Sequence, residues 1–155
     1  MNNSIENIQN LLADIFILSS DEVELFQKAL THSSNNSNNN QRRAFLGDAV
    51  LKLIIREHFF RNNPGWEKGE LTKKSGEEIE SDKNFADIAI KLELVNYMDI
   101  RNKPSDYETN ETINAEALEA LFGAIYLSRG LEETRRISEK IIFCRGYEQM
   151  SKSRK

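Results

Sequence analysis

The most restrictive feature of this chain is a helical spacing of apolar residues that proline almost never interrupts. The 155 residues include only two prolines and seven glycines, which leaves room for long helices. Apolar side chains recur every three or four residues along most of the chain, and no stretch shows the alternation that is typical of a half-buried strand. We therefore predict a single all-α domain of about seven helices over residues 1–150.

The predicted helices begin and end at recognisable capping and breaking residues. They lie around residues 5–15, 23–30, 42–60, 71–79, 85–92, 112–127 and 131–142. Ser19 and Glu22 have the spacing of a capping box, and Ser81 is placed to cap a later helix. Gly130 is placed to end the helix that precedes it.

The segments outside these helices are polar. Residues 35–40 are rich in asparagine, which favours turns, so we predict a solvated loop there. The N-terminus has neither the basic region nor the long apolar stretch of a secretory signal. The longest apolar run is interrupted by Lys52, so we expect no membrane span. The lone cysteine, Cys144, cannot form an intramolecular disulfide, and we expect an intracellular protein, cytoplasmic or nuclear.

The overall charge limits how the chain could bind nucleic acid. With 21 basic and 25 acidic side chains, its formal net charge is -4. This balance argues against a protein that coats nucleic acid by charge alone. It is compatible with a protein that binds phosphate through metal ions, because the ions offset the acidic side chains.

Three acidic residues lie within apolar helices. Asp48 is flanked by apolar residues on both sides, and Glu116 and Glu119 share one face of another apolar helix. A carboxylate in such surroundings is costly unless it is paired or binds a metal. If the three converge, they form an oxygen-rich site suited to Mg²⁺ or Mn²⁺, and such sites commonly serve phosphoryl chemistry.

A simpler interpretation of these acids is also open. Glu116 and Glu119 could form a solvated stripe, and Asp48 could pair with Lys52 one turn later. Gly47 and Gly123 weigh against this interpretation, because a glycine inside a helix costs about 1 kcal/mol relative to alanine. Their position beside the acids favours close packing between the two helices.

Four segments resemble, in the same order, the catalytic domain of the ribonuclease III family. They are residues 29–33 (ALTHS), 40–51 (NQRRAFLGDAVL), 69–72 (GELT) and 115–127 (AEALEALFGAIYL). The resemblance implies an all-helical endonuclease domain that acts as a homodimer and cuts double-stranded RNA with Mg²⁺, for which Mn²⁺ can substitute. It also suggests that the basic residues 151–155 link the domain to a double-stranded-RNA-binding domain.

The resemblance assigns roles to individual residues. Asp48 and Glu119 match the family's catalytic metal-binding acids, and Glu116 stands where the family has a metal-binding aspartate. Phe45 matches the aromatic residue that the family packs into its partner subunit. His32 matches a threonine-histidine pair and is expected to be structural. Residues expected to bind substrate are Lys73, Lys74, Gln41 and Glu70.

The chain departs from the family pattern at three acidic positions. Ala44 stands where the family has a metal-binding glutamate one turn before Asp48, and Gln41 and Lys68 replace two further glutamates. Ala44 is either an introduced substitution, or natural in an enzyme where Glu70 or a water fills the gap, or the mark of lost catalysis. In the last case the domain serves as an RNA-binding or ribonucleoprotein scaffold. A helical module without a nucleic-acid role is a further alternative.

Overall fold

The computed structural model describes residues 17–35 and 38–143. Within these ranges the chain forms helices and no strand, and the one β-type contact is a bridge between Thr31 and Asp99. The predicted all-α fold is therefore confirmed. The predicted helix at residues 5–15, Cys144 and the basic residues 151–155 lie outside the described residues.

Five α-helices account for most of the described chain. They are α1 (Ser20–Ala29), α2 (Gln41–Asn62), α3 (Lys68–Glu78), α4 (Asp82–Lys91) and α5 (Glu111–Ser138). A 3₁₀ turn at Leu94–Tyr97 and a π-helical turn at Glu139–Phe143 bring the number of helical elements close to the predicted seven.

The helix ends follow the predicted capping signals in most places. The Ser19 N–H donates to the Glu22 carboxylate at 2.8 Å, and the Ser81 hydroxyl oxygen accepts from the Asn84 N–H at 3.2 Å. Gly130 also acts as predicted, because its backbone is not helical (φ 79°, ψ 176°) and it separates two helical stretches within α5. A positive φ is accessible to glycine at little cost, so the first helical stretch ends here and the chain turns sharply into the second.

The core lies between the two longest helices, α2 and α5, which pack against each other. Helix α4 and helix α1 cover other faces of α5, and α3 packs against α2. Four phenylalanines are among the largest fully buried side chains: Phe26, Phe59, Phe85 and Phe122. Within residues 17–35 and 38–143, no helix combines the length and the apolar character needed to cross a bilayer.

The asparagine-rich segment is only partly solvated. Asn40 is completely buried, and its N–H donates to the Thr31 carbonyl at 2.8 Å. Nearby, the His32 N–H donates to the Asp99 carbonyl at 2.9 Å, and its ring Nδ1 is 2.8 Å from the Ser34 hydroxyl. These contacts agree with a structural role for His32. The backbone of Asn40 is held at the start of α2, whereas the amide of its buried side chain has no hydrogen-bond partner among the described residues.

Helices α2 and α5 approach each other closely at two glycines. A Cβ atom added at Gly47 would overlap the Glu119 carbonyl group, lying 2.6 Å from its carbon, and would lie 2.8 Å from the Gly123 nitrogen. A Cβ atom added at Gly123 would overlap the Arg43 carbonyl oxygen. Both positions therefore require glycine for steric reasons, as the sequence predicted from their place beside the acids.

Arg129 joins α5 to the start of α1. Its guanidinium binds the Glu22 carboxylate, with 2.8 Å between Nη2 and Oε2, and donates to the Ile17 carbonyl at 2.7 Å. The hydrogen bond from Arg129 lowers the pKa of Glu22 from 4.5 to about 2. The contribution of this carboxylate to stability is therefore complete above pH 4.5 and declines as the pH falls towards 2.

We expect Arg129→Met to lower the free energy of unfolding by about 2 kcal/mol at pH 7, because it removes charge-assisted hydrogen bonds from a largely buried carboxylate. The difference from the wild type should shrink below pH 4.5. Urea unfolding at several pH values measures it. The control is Arg136→Met, since Arg136 pairs with Glu133 on the outer surface of the same helix. Equal effects of the two substitutions would contradict the prediction.

We expect Gly47→Ala to destabilise the fold by about 3 kcal/mol or more, because the new methyl group meets backbone atoms that cannot yield without separating α2 from α5. Gly76→Ala is the matched control, since a Cβ atom at Gly76 meets nothing within 4 Å. That substitution should be neutral or stabilise by about 0.5–1 kcal/mol. A Gly47→Ala variant with the same urea midpoint of unfolding as the wild type would contradict this explanation of the helix crossing.

Candidate active site

The contact between the two glycines brings three acidic residues into one region. Asp48 follows Gly47 on α2, Glu119 is one turn before Gly123 on α5, and Glu116 lies one turn before Glu119. Because the backbones of α2 and α5 touch at the glycines, side chains on either side of the contact are close neighbours. The structure therefore places these three predicted residues around one helix crossing.

Glu119 shows the electrostatic result of this arrangement. Its pKa is raised from 4.5 to about 7, first by burial and then by the negative charges of Asp48, Asp82 and Glu116. The ammonium of Lys52 acts in the opposite direction. A carboxylate surrounded by other carboxylates in a partly buried site is stabilised by a nearby cation.

Asp48 has such a cation beside it. The Lys52 ammonium lies 2.8 Å from each of its two carboxylate oxygens. The two side chains are one helical turn apart, and both are about one-third exposed. The pairing of Asp48 with Lys52 that the simpler interpretation predicted is therefore present.

Glu116 is held by a neutral partner. The side-chain amide of Gln41, at the start of α2, donates to the Glu116 carboxylate at 2.8 Å. This contact joins the N-terminal turn of α2 to α5. The amide of Gln41 thus contacts one of the predicted metal-binding acids, and its predicted contact with substrate stays a prediction.

The three carboxylates do not surround a single point. Among residues 17–35 and 38–143, no three histidine, cysteine, aspartate or glutamate side chains are placed to hold one metal ion. Lys52 holds the carboxylate of Asp48, and Gln41 holds that of Glu116. The donor set still fits Mg²⁺ or Mn²⁺ in ligand chemistry and charge, because all its ligand atoms are carboxylate oxygens. Whether these residues bind a metal stays a prediction.

Ala44 lies one helical turn before Asp48 and is buried. Its methyl group offers no ligand atom, and it is part of the core. Glu70, which the sequence offered as a replacement for the missing acid, has another role in this structure. It accepts a hydrogen bond from the Glu67 N–H at 3.2 Å, which completes a capping box at the start of α3.

The predicted substrate-binding lysines lie on the outer surface of α3. Lys73 is 4.0 Å from Glu77, and Lys74 is 3.5 Å from Glu78, in each case one turn along the helix. Surface pairs of this kind contribute at most about 1 kcal/mol. Both lysines therefore remain available for phosphate contact, and their role stays a prediction.

Phe45 begins an exposed apolar stripe along α2. Its side chain is 84% exposed, and Leu53 and Phe60 on the same helix are also exposed, as is Leu127 on α5. A groove of about 810 Å³ lies beside Phe45, Leu46 and Leu127, and the rest of its lining is polar, with Arg42 and Arg43 among it. Exposed aromatic side chains next to a groove are typical of a surface that binds another protein.

Two acidic residues near the site were not predicted from the sequence. Asp82, in the first turn of α4, adds negative charge near Glu119. Glu80, just before α4, accepts two hydrogen bonds of 2.9 Å from the Arg56 guanidinium. An acid in the first turn of a helix is common for reasons of the helix dipole, so no local signal separates Asp82 from an ordinary surface aspartate.

Comparison with known proteins identifies the family. The model of the Ribonuclease-III-like family matches residues 22–145. Ribonuclease 3 of a Nitratiruptor species is 38% identical over 125 residues, which cover 79% of this chain and 55% of that protein. Ribonuclease 3 of Pelagibacter ubique is 43% identical over 115 residues, covering 73% and 51%. The chain spans about half the length of these curated relatives.

Solved structures agree with this match. The nuclease domain of ribonuclease III from Campylobacter jejuni superposes with a TM-score of 0.79 at 33% identity, covering 88% of this chain and 96% of that one. Giardia Dicer superposes with a TM-score of 0.71 at 22% identity, covering 90% of this chain and 19% of that one, which shows the fold alone. The chain belongs to the ribonuclease III-like family, and its described residues have the fold of that family's nuclease domain.

Proposed function

We propose that this chain is the nuclease domain of an endoribonuclease that cuts double-stranded RNA with the help of a divalent cation. The observation that carries the proposal is the placement of Asp48, Glu116 and Glu119 around the crossing of α2 and α5, where their negative charges interact. Membership of the ribonuclease III-like family supports it. We also propose an intracellular place of action, in the cytoplasm or the nucleus.

In this proposal Asp48 and Glu119 hold Mg²⁺, or Mn²⁺ in its place, and Glu116 completes the set. The raised pKa of Glu119 supports this assignment, because a divalent cation would offset the repulsion among the three carboxylates. When bound, the metal would supply an activated water and offset charge on the RNA phosphate.

The remaining predicted residues have supporting roles in this proposal. Lys73 and Lys74 would contact backbone phosphates from α3. Gln41 would orient Glu116 through the hydrogen bond that joins α2 to α5. Glu70 would fix the start of α3, and thereby the position of the two lysines, through its capping box.

We also propose that the domain acts as a homodimer through the exposed face of α2. Phe45 and the groove beside Leu46 and Leu127 supply complementary features on one surface, as a two-fold symmetric interface requires. The nuclease domain of ribonuclease III from Campylobacter jejuni has a region involved in dimer formation.

Analytical sedimentation should show a dimer for the wild type and a shift towards monomer for Phe45→Ala. A wild-type protein that stays monomeric at high concentration would contradict the proposal.

We expect Asp48→Asn and Glu119→Gln each to lower metal-dependent cleavage of long duplex RNA by at least about a hundredfold, because each removes a charged ligand from the cation site. Single-turnover cleavage with Mg²⁺ and with Mn²⁺ measures the effect, and urea unfolding shows that the variants are folded. Asp21→Asn on α1 is the control and should leave cleavage unchanged. Persistent cleavage in either site variant would show that the site is wrongly assigned.

A second function is favoured by one specific observation. Ala44 provides no carboxylate where the family pattern has one, and Gln41 and Lys68 are also not acidic. A domain with this composition could bind structured RNA, or a ribonucleoprotein partner, without cutting it. The two functions share the fold and the RNA surface and differ only in turnover.

Ala44→Glu distinguishes the two functions, because it adds a carboxylate one turn before Asp48. If only this ligand is missing, we expect cleavage of duplex RNA to rise by at least about tenfold. Ala44→Gln is the matched control, since it adds the same volume to this buried position without the charge, and it should not raise cleavage. Wild-type and Ala44→Glu proteins that bind duplex RNA but fail to cut it would favour the scaffold.

A further inference from the structure

Lys52 is the one side chain that contacts both oxygens of a predicted metal-binding carboxylate in the described part of the chain. Its ammonium lies 2.8 Å from Oδ1 and 2.8 Å from Oδ2 of Asp48. It is also close enough to Glu119 and Glu80 to be stabilised by their negative charge. Lys52 therefore already acts as a cation in the region where the three acids meet.

We propose that Lys52 is a positioning residue that competes with the divalent cation for Asp48. The proposal rests on the proposed function, because it assumes that Asp48 is a metal ligand. It adds that the affinity of the site for the metal is set by the exchange of an ammonium for the ion, and not by the carboxylates alone.

The competition follows from the contacts of Asp48. The ammonium engages both of its oxygens, so a metal ion on Asp48 would have to share an oxygen with it. An ammonium and a divalent ion on one carboxylate also repel each other strongly, because they would be only a few ångströms apart. Because of this repulsion, metal binding at Asp48 favours the release of Lys52.

The departure of Lys52 is feasible because the pair is partly solvated. Its two side chains are 38% and 33% exposed, and pairs of this kind contribute little net free energy. Neighbouring Arg56 is different, since both of its bonds go to Glu80, whose side chain is only 5% exposed. Of the two bases that face the acids from α2, Lys52 is thus the one that can be released.

Direct binding of Mn²⁺, followed by electron paramagnetic resonance of the free ion, tests the proposal. Lys52→Met keeps the apolar stem and removes the charge, and it should lower the Kd for Mn²⁺ by roughly three- to tenfold. Lys28→Met is the matched control, because Lys28 forms the same pairing with Glu24 one turn away on α1, and it should leave the Kd unchanged. Equal or weaker binding by Lys52→Met would overturn the proposal.

A second measurement separates direct exchange from a general effect of charge. In a titration with Mg²⁺ followed by NMR, the Lys52 side-chain resonances should move towards those of a free lysine as the site fills, while those of Lys28 stay constant. Unchanged Lys52 resonances at saturation would overturn the proposal and leave the metal site intact. If neither the wild type nor Lys52→Met binds Mn²⁺, the proposed function fails, and the role of Lys52 fails with it.

Discussion

The contact between Gly47 on α2 and Gly123 on α5 is the constraint on which the rest of the structure depends. It lets two helix backbones touch, where any larger residue would push them apart by overlapping a carbonyl group. The two helices carry much of the buried core, so their separation would be felt throughout the domain. The same contact sets the position of Asp48 relative to Glu119, because each acid is within about one turn of a glycine. The stability of the fold and the geometry of the candidate site therefore both require glycine where α2 and α5 touch.

Carboxylates placed close together repel one another, and contacts with the surrounding residues reduce this repulsion. Lys52 neutralises Asp48, Gln41 donates to Glu116, and burial with nearby negative charge raises the pKa of Glu119 to about 7. A salt bridge, a neutral hydrogen bond and a shifted protonation equilibrium therefore each reduce the repulsion at one of the three carboxylates. A site of this kind is compatible with the chain's net charge of -4, because its affinity for phosphate would come from a cation and not from an excess of lysine.

Much of this could be predicted from the sequence because the signals were local. Apolar spacing predicted the helices, Ser19 and Ser81 predicted two of the caps, and the glycines beside the acids predicted close packing. Contacts between distant segments left no such signal. The charge of Asp82 near Glu119 depends on how α4 packs against α5, and the burial of Asn40 depends on the backbone of Thr31. The break at Gly130 was predicted from the glycine itself, because its positive φ is a conformation that glycine adopts at little cost.

The central claim is that the crossing of α2 and α5 assembles a site for a divalent cation from Asp48, Glu119 and Glu116. Anomalous diffraction from a crystal of the protein soaked in Mn²⁺ tests it most directly, since it locates the ion without depending on turnover. The account predicts an anomalous peak in contact with the carboxylates of Asp48 and Glu119, with the Lys52 ammonium moved away from Asp48. A saturating soak that leaves no peak there, or a peak held only by other residues, would contradict it.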